Sequence, residues 1–130
     1  MGDELIEFNE DAVAVVESHN LAEIVKPFVR EIWLFDSHVA GTTHLDDQSV
    51  LETIAVDDVL ILRREDNRHD SNAILVLNRK KQKLGYVPKK DNAVFARLMD
   101  AGKLLQAKVA EIEHRKNYTL IKIGVYLIDL

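Results

Sequence analysis

Residues 65–74 read Glu-Asp-Asn-Arg-His-Asp-Ser-Asn-Ala-Ile, and chemistry-bearing side chains are densest in this stretch. Asp66, Asn67, Asp70 and Asn72 are short and can bond to nearby backbone amides, so the spacing predicts a structured turn between two apolar runs. Such turns can do no more than satisfy their own amides, or they can carry binding groups on a rigid frame. A nucleophilic reading would combine His69, Asp70 and Ser71. Adjacent residues rarely converge on one reacting atom, and no hydrolase motif occurs elsewhere, so the expectation is a protein that is not an enzyme.

A second stretch, Leu84-Gly85-Tyr86-Val87-Pro88-Lys89-Lys90, reads as a strand that leads into a helix. Gly85 permits close backbone approach, and two lysines near a helix N-terminus suit a phosphate group. Charge distribution supports an anionic partner even though the net charge is −5. Residues 1–60 carry 14 acids against Lys26 and Arg30, a balance of −12, whereas residues 61–130 stand at +7. Between Arg63 and Arg97 ten bases face four acids, which marks Arg63, Arg64, Arg68, Lys89 and Lys90 as a candidate anion-attracting surface. An ordinary solvated face would carry the same charges.

These groups need elements to position them. With 130 residues and 47% apolar content, the chain is long enough for one domain with its own core. The absence of cysteine excludes thiolate zinc sites, thiol catalysis and disulfides, and it agrees with a cytoplasmic location. No apolar run approaches the ~20 residues that would cross a bilayer. The acidic residues 1–10 lack the basic region of a secretion signal, so no membrane partner is expected.

Capping patterns at Asn9 and Asn20 predict helices over about 10–18 and 21–26, the second stopped by Pro27. Their apolar stripes need cover, either from the rest of the chain or from a protein partner. Strands are predicted at about 32–40, 59–62, 73–77, 84–87, 105–109 and 121–127, with Trp33 and Phe35 in the core. One helix, capped by Asp91 and carrying Val94, Phe95, Leu98 and Met99, is predicted over about 91–101. The fold class is therefore mainly β: a small six-stranded barrel, closed or nearly so, with one inserted helix and N-terminal helices.

Three segments resemble the HIRAN domain family, found as the N-terminal domain of helicase-like transcription factor and as a free-standing bacterial protein. They are His38-Val39-Ala40-Gly41, then Leu60 to Arg64 running into the 65–74 turn, then Leu84-Gly85-Tyr86-Val87-Pro88-Lys89. The resemblance spans about residues 31–125, which divides the chain into an N-terminal helical extension, 1–30, packed on a HIRAN-like barrel domain, 31–130. It implies an OB-like barrel. It also implies a nucleic-acid-binding module for single-stranded DNA or a DNA 3′ end, linked to DNA repair or stalled-fork processing, with no cofactor.

By the same resemblance, Asp70 accepts a hydrogen bond from the terminal 3′-hydroxyl, Lys89 contacts a phosphate, and Asn67 and Tyr86 belong to the pocket. The family's Arg-Tyr pair falls on Thr43 and His44, and its aromatic before the carboxylate falls on His69. An imidazole stacks with less area than a phenol ring, and losing the Arg removes a bidentate phosphate donor. Two other readings stand beside this one. If His44, His69 and Asp70 share the pocket, two imidazoles and a carboxylate could ligate zinc. Alternatively, the acidic N-terminal half could make the chain a protein-interaction adaptor. RNA in place of DNA and the oligomeric state are both open.

Overall fold

The computed structural model describes residues 29–129. Strand β1 spans Arg30–His38, β2 Val59–Arg64, β3 Ile74–Leu77 and β4 Lys83–Tyr86; helix α1 spans Lys89–Asp100; β5 Leu104–His114 and β6 Thr119–Asp129 end the fold. The strands form one antiparallel sheet in the order β1-β6-β5-β2-β3-β4. Alternation explains the register. Leu60 and Leu62 of β2, Leu105, Ala107 and Val109 of β5, and Ile121, Ile123 and Val125 of β6 are all buried, and the residues between them are exposed or half-buried except Gly124, which is buried as well. Phe95 of α1 completes this core, and each fully buried side chain of this size contributes about 1.5–3 kcal/mol.

The strand count predicts a barrel, but the sheet is not closed by a ladder of strands. Its edges are β1 and β4, which meet at an isolated bridge two residues beyond β1. There the Ala40 N–H donates to the Tyr86 carbonyl at 2.7 Å and the Tyr86 N–H to the Ala40 carbonyl at 2.9 Å. Gly41 then enters the left-handed region at φ 78° and turns the chain into a 3-10 segment, Thr42–His44, so pairing cannot continue. Gly85 makes the bridge possible, because a Cβ at that position would collide with the Ala40 carbonyl oxygen and the Val39 side chain.

Two further expectations need correction. Trp33 is not in the core: it is 56% exposed, and its indole N–H donates to Asp36 Oδ1 at 2.9 Å. Phe35 is also exposed, although its ring meets Phe95 at a centroid distance of 5.7 Å. Strand spacing tells which residues share a face, not whether anything covers that face, and β1 is an edge. Helix α1 starts at Lys89, two residues before the predicted start, with Pro88 rather than Asp91 in the cap position, and Val94 is 62% exposed rather than on the buried stripe. The fixed φ of proline already suits a helix start, so no side-chain cap is required.

The predicted helices at 10–18 and 21–26 lie outside the described residues. Residues 31–129 form one compact unit. A second 3-10 segment, Gln48–Glu52, is capped by Asp47, whose side chain accepts from the Ser49 N–H and hydroxyl. Those two bonds hold its carboxyl below the usual range, the hydroxyl bond contributing most.

Candidate nucleic-acid interface

The turn from Glu65 to Ala73 joins β2 to β3 and is held from several directions. Its backbone closes through Glu65 N–H to Ala73 O at 3.0 Å, Asp70 N–H to Asn67 O at 3.2 Å and Ala73 N–H to Asp70 O at 3.1 Å. Two side chains act as local caps, as the sequence predicts: Asn67 Oδ1 accepts from the His69 N–H at 2.8 Å, and Asp70 Oδ1 accepts from the Asn72 N–H at 3.0 Å. His69 and Arg68 stand exposed on the turn.

Asp70 has a second partner that the sequence reading missed. Asn92, buried in the first turn of α1, donates its Nδ2–H to Asp70 Oδ2 at 2.9 Å. Both carboxylate oxygens thus have a donor, which fixes the group while leaving lone pairs for a ligand. Lys89 precedes Asn92 by three residues, about one turn along the helix, but Asn92 is buried whereas Lys89 is exposed. Lys89 and Lys90 are exposed at the helix start. Beside them Asp91 is buried, accepts the Ser37 hydroxyl at 2.6 Å, and lies 3.5 Å from Lys90 Nζ.

On the other side of the turn, Tyr86 donates its hydroxyl to Glu65 Oε1 at 2.8 Å, and Asn67 Nδ2–H donates to the same oxygen at 3.1 Å. Lys83 Nζ sits 4.6 Å from the Tyr86 ring centroid and 3.4 Å from its hydroxyl. Through the Ala40 bridge, Tyr86 also lies beside the Thr42–His44 segment. Thr42 is buried and donates its hydroxyl to the Thr119 carbonyl, whereas Thr43 and His44 are exposed. Hydrogen bonds thus tie Asn67, Asp70 and Tyr86 to the turn, whereas Lys89 lies at the start of the helix that bears Asn92, and Thr43 and His44 lie beyond the Ala40 bridge.

The two arginines of β2 separate. Alternation sends Arg63 to the outer face, in one cross-strand row with Leu75 and Tyr86. Arg64 points to the opposite face and is fully engaged: Nε and one terminal nitrogen grip Asp100 at 2.9 and 3.2 Å, and its terminal nitrogens reach the carbonyls of Ala73 and Ser71 at 2.6 and 2.7 Å. The Asp100 bond raises the guanidinium pKa and holds the Asp100 carboxyl low. Arg64 is therefore a clamp on the turn, with little left to offer a phosphate. The open depression of about 380 Å³ beside it is lined by Arg64, Glu65, Asp66, Asn67, Ser71 and Asp100. Three carboxylates around an already paired guanidinium repel an anion, so this depression is not a phosphate pocket.

The zinc reading does not hold. Among the described residues no three His, Asp or Glu side chains converge on a point, because His44 and His69 stand on separate turns and Asp70 is directed at Asn72 and Asn92.

The HIRAN domain profile matches residues 32–127. The chain belongs to the HIRAN domain family. Among solved structures, a protein from Lactobacillus plantarum is similar at 29% identity and TM-score 0.73, over 78% of this chain and 99% of that one. The HIRAN domain of human HLTF is similar at 19% identity and TM-score 0.62, over 77% and 78%. The same human domain in its DNA-bound conformation is similar at 19% identity and TM-score 0.50, over 74% and 78%. No curated protein sequence matches the chain. At 16–19% identity, the likeness to the human domain is one of fold. In the present HIRAN domain, Asn92 and Glu65 are the residues that sequence reasoning overlooked. Asn92 had a usable signal, an amide in the first turn of a helix directly after Lys89-Lys90-Asp91; Glu65 had none beyond its place in the turn.

Proposed function

We propose that this HIRAN domain binds nucleic acid without catalysing a reaction, and that it holds the 3′ end of a single DNA strand. The observation that carries the reading is the pairing of Asp70 with Asn92, which fixes a carboxylate against the first turn of the helix that begins at Lys89. A terminal hydroxyl donates to Asp70, and an ionised carboxylate refuses a terminal phosphate at the same point. Lys89 and Lys90 neutralise the adjoining phosphates at the N-terminus of α1. His69, exposed on the turn, offers a ring face for a base, whereas the Tyr86 ring lies under Lys83 and contributes its hydroxyl to the turn. The DNA-bound conformation of the human HLTF domain supports the polymer class. On this reading the sheet works as an OB-like barrel whose seam is the Ala40–Tyr86 bridge, and the cellular setting is DNA repair or stalled-fork processing.

The test is a titration with single strands carrying a free or a phosphate-blocked 3′ end, repeated with Lys89→Glu/Lys90→Glu. The parent is expected to prefer the free end, and the double reversal to lower affinity by at least tenfold at low salt, since phosphate neutralisation and counterion release are both lost. Equal binding of both ends removes end recognition. Unchanged affinity in the lysine variant removes the helix N-terminus from the interface.

A further inference from the structure

A second cationic element lies beyond the end site. Strands β3 and β4 are joined by Arg79, Lys80 and Lys81, with Gln82 and Lys83 following. Asn78 holds this loop almost alone. Its carbonyl accepts the Lys81 N–H at 2.9 Å, and its side-chain oxygen accepts the N–H groups of Lys80 and Gln82 at 3.0 and 2.8 Å. Its amide donates to Gln82 Oε1 at 2.8 Å, and its own N–H to Gln82 O at 2.9 Å. Asn78 is buried, so the tip is braced from beneath. Lys81 adopts φ 66°, a conformation in which glycine is favoured, so a charged side chain occupies a position that a small residue would fill more easily.

Arg79, Lys80 and Lys81 have no carboxylate within ion-pair distance among the described residues, which is equally true of Arg63, Arg68, Lys83, Lys89, Arg97, Lys103 and Lys116. What sets the tip apart is adjacency: the other bases stand singly or in pairs along the chain, and here three are consecutive. All three are exposed. Three adjacent cations on a braced loop repel one another and contribute nothing visible to the fold, whereas a polyanion would relieve that repulsion. The loop has no apolar residue to insert into a lipid surface. It is also continuous with the end site through Lys83, which covers the Tyr86 ring.

We propose that the Arg79–Lys81 tip is a second contact for nucleic acid, gripping the phosphates of the strand that leaves the end site, without regard to sequence. This rests on the end-binding reading for the path of the strand. The two contacts stand at opposite ends of β3: from Ala73 to Asn78 are five residue steps, about 16 Å at about 3.3 Å per step. A stacked strand advances about 3.4 Å per nucleotide, so the tip meets the chain about five nucleotides from its end. Each phosphate contact on a single strand adds about 0.7 to the slope of log affinity against log salt, equivalent to about fivefold at 0.1 M salt.

The experiment compares the parent with Arg79→Gln/Lys80→Gln/Lys81→Gln on labelled 4-nucleotide and 12-nucleotide strands, over a range of salt. For the 12-mer, the variant is expected to lose about 100-fold in affinity at 0.1 M salt and about 2 from the salt slope; for the 4-mer it is expected to match the parent. The charge-preserving Arg79→Lys/Lys80→Arg/Lys81→Arg is expected to retain both affinities, which separates charge from folding. Unchanged binding of the 12-mer by the Gln variant overturns the proposal, as does an equal loss on both lengths. Polyglutamate that competes as well as the 12-mer overturns the commitment to nucleic acid. If 3′-blocked and free 12-mers bind the parent alike while the Gln variant still loses affinity, end reading fails and the tip stands.

Discussion

Substituting Asp70 in two ways separates the residue's structural work from its proposed reading of a chain end. Asp70→Ala removes the acceptor of the Asn72 N–H and leaves the buried Asn92 amide without its partner. An orphaned buried donor costs about 1–3 kcal/mol, and the lost turn bond about 0.5–1.5 kcal/mol, so the total is about 1.5–4.5 kcal/mol. For a folded unit of about 100 residues, each kcal/mol lowers the melting temperature by about 4–8 °C, which gives a fall of about 6–36 °C. Asp70→Asn keeps the bond to Asn72, and a 180° turn of the Asn92 amide restores the other, so its expected cost is below about 1 kcal/mol. It nevertheless removes the charge. Losing a charge-assisted bond to a terminal hydroxyl costs about 1.5–3 kcal/mol, and both variants should therefore bind a free 3′ end about tenfold to a hundredfold more weakly than the parent. Only Asp70→Asn should combine that loss with near-parent melting and improved binding of a 3′-phosphate. Thermal melting and fluorescence anisotropy with the two end types read both effects. A parent that binds both ends equally, or an Asp70→Ala variant that melts with the parent, would refute the reasoning.

Further outcomes follow from other parts of the fold. Asp100 has its carboxyl held low by Arg64, so near pH 4 the folded state binds fewer protons than the unfolded one. The contribution of that pair is complete at neutral pH and is lost as pH falls through and below the ordinary carboxylate range; Asp100→Asn should flatten this part of the acid-melting profile. Gly85→Ala should cost about 1–3 kcal/mol, because its methyl meets the Ala40 carbonyl, and it should weaken binding at the Thr43–His44 side; unchanged melting would show that the bridge tolerates a Cβ. Deleting residues 1–28, which hold seven acids and one lysine, should raise affinity for long duplex, read by a gel-shift titration; unaltered duplex binding would show that this charge does not screen the interface.

Much of the fold was legible because alternation and punctuation agree. Leu60 and Leu62, Leu105 and Ala107, and Ile121 and Ile123 keep a period of two between turn-forming clusters, and all are buried. The exposed face of Trp33 was not legible, since an apolar strand reads alike at an edge and at a sheet centre. At the site, the caps made by Asn67 and Asp70 were readable from local spacing, whereas the Asn92–Asp70 and Tyr86–Glu65 bonds span 22 and 21 residues and exist only once the chain is folded. Arg63 and Arg64 look alike in the sequence, and the pleat alone sends one outward and gives the other to Asp100.

The bridge between Ala40 and Tyr86 has a dynamic consequence. Two backbone bonds, each with a net contribution of about 1 kcal/mol, hold the two edges of the sheet together, against a total stability of about 5–15 kcal/mol for a domain. Losing those two bonds alone costs about 2 kcal/mol, and parting Val39, which is buried beside Gly85, adds to that, so at most about one molecule in thirty is open there at any instant. Tyr86 and the turn bearing Thr43 and His44 lie on the two lips of that opening. On the proposed reading of the interface, opening at this bridge would part Tyr86 from the Thr43–His44 segment while the central strands keep their ladders.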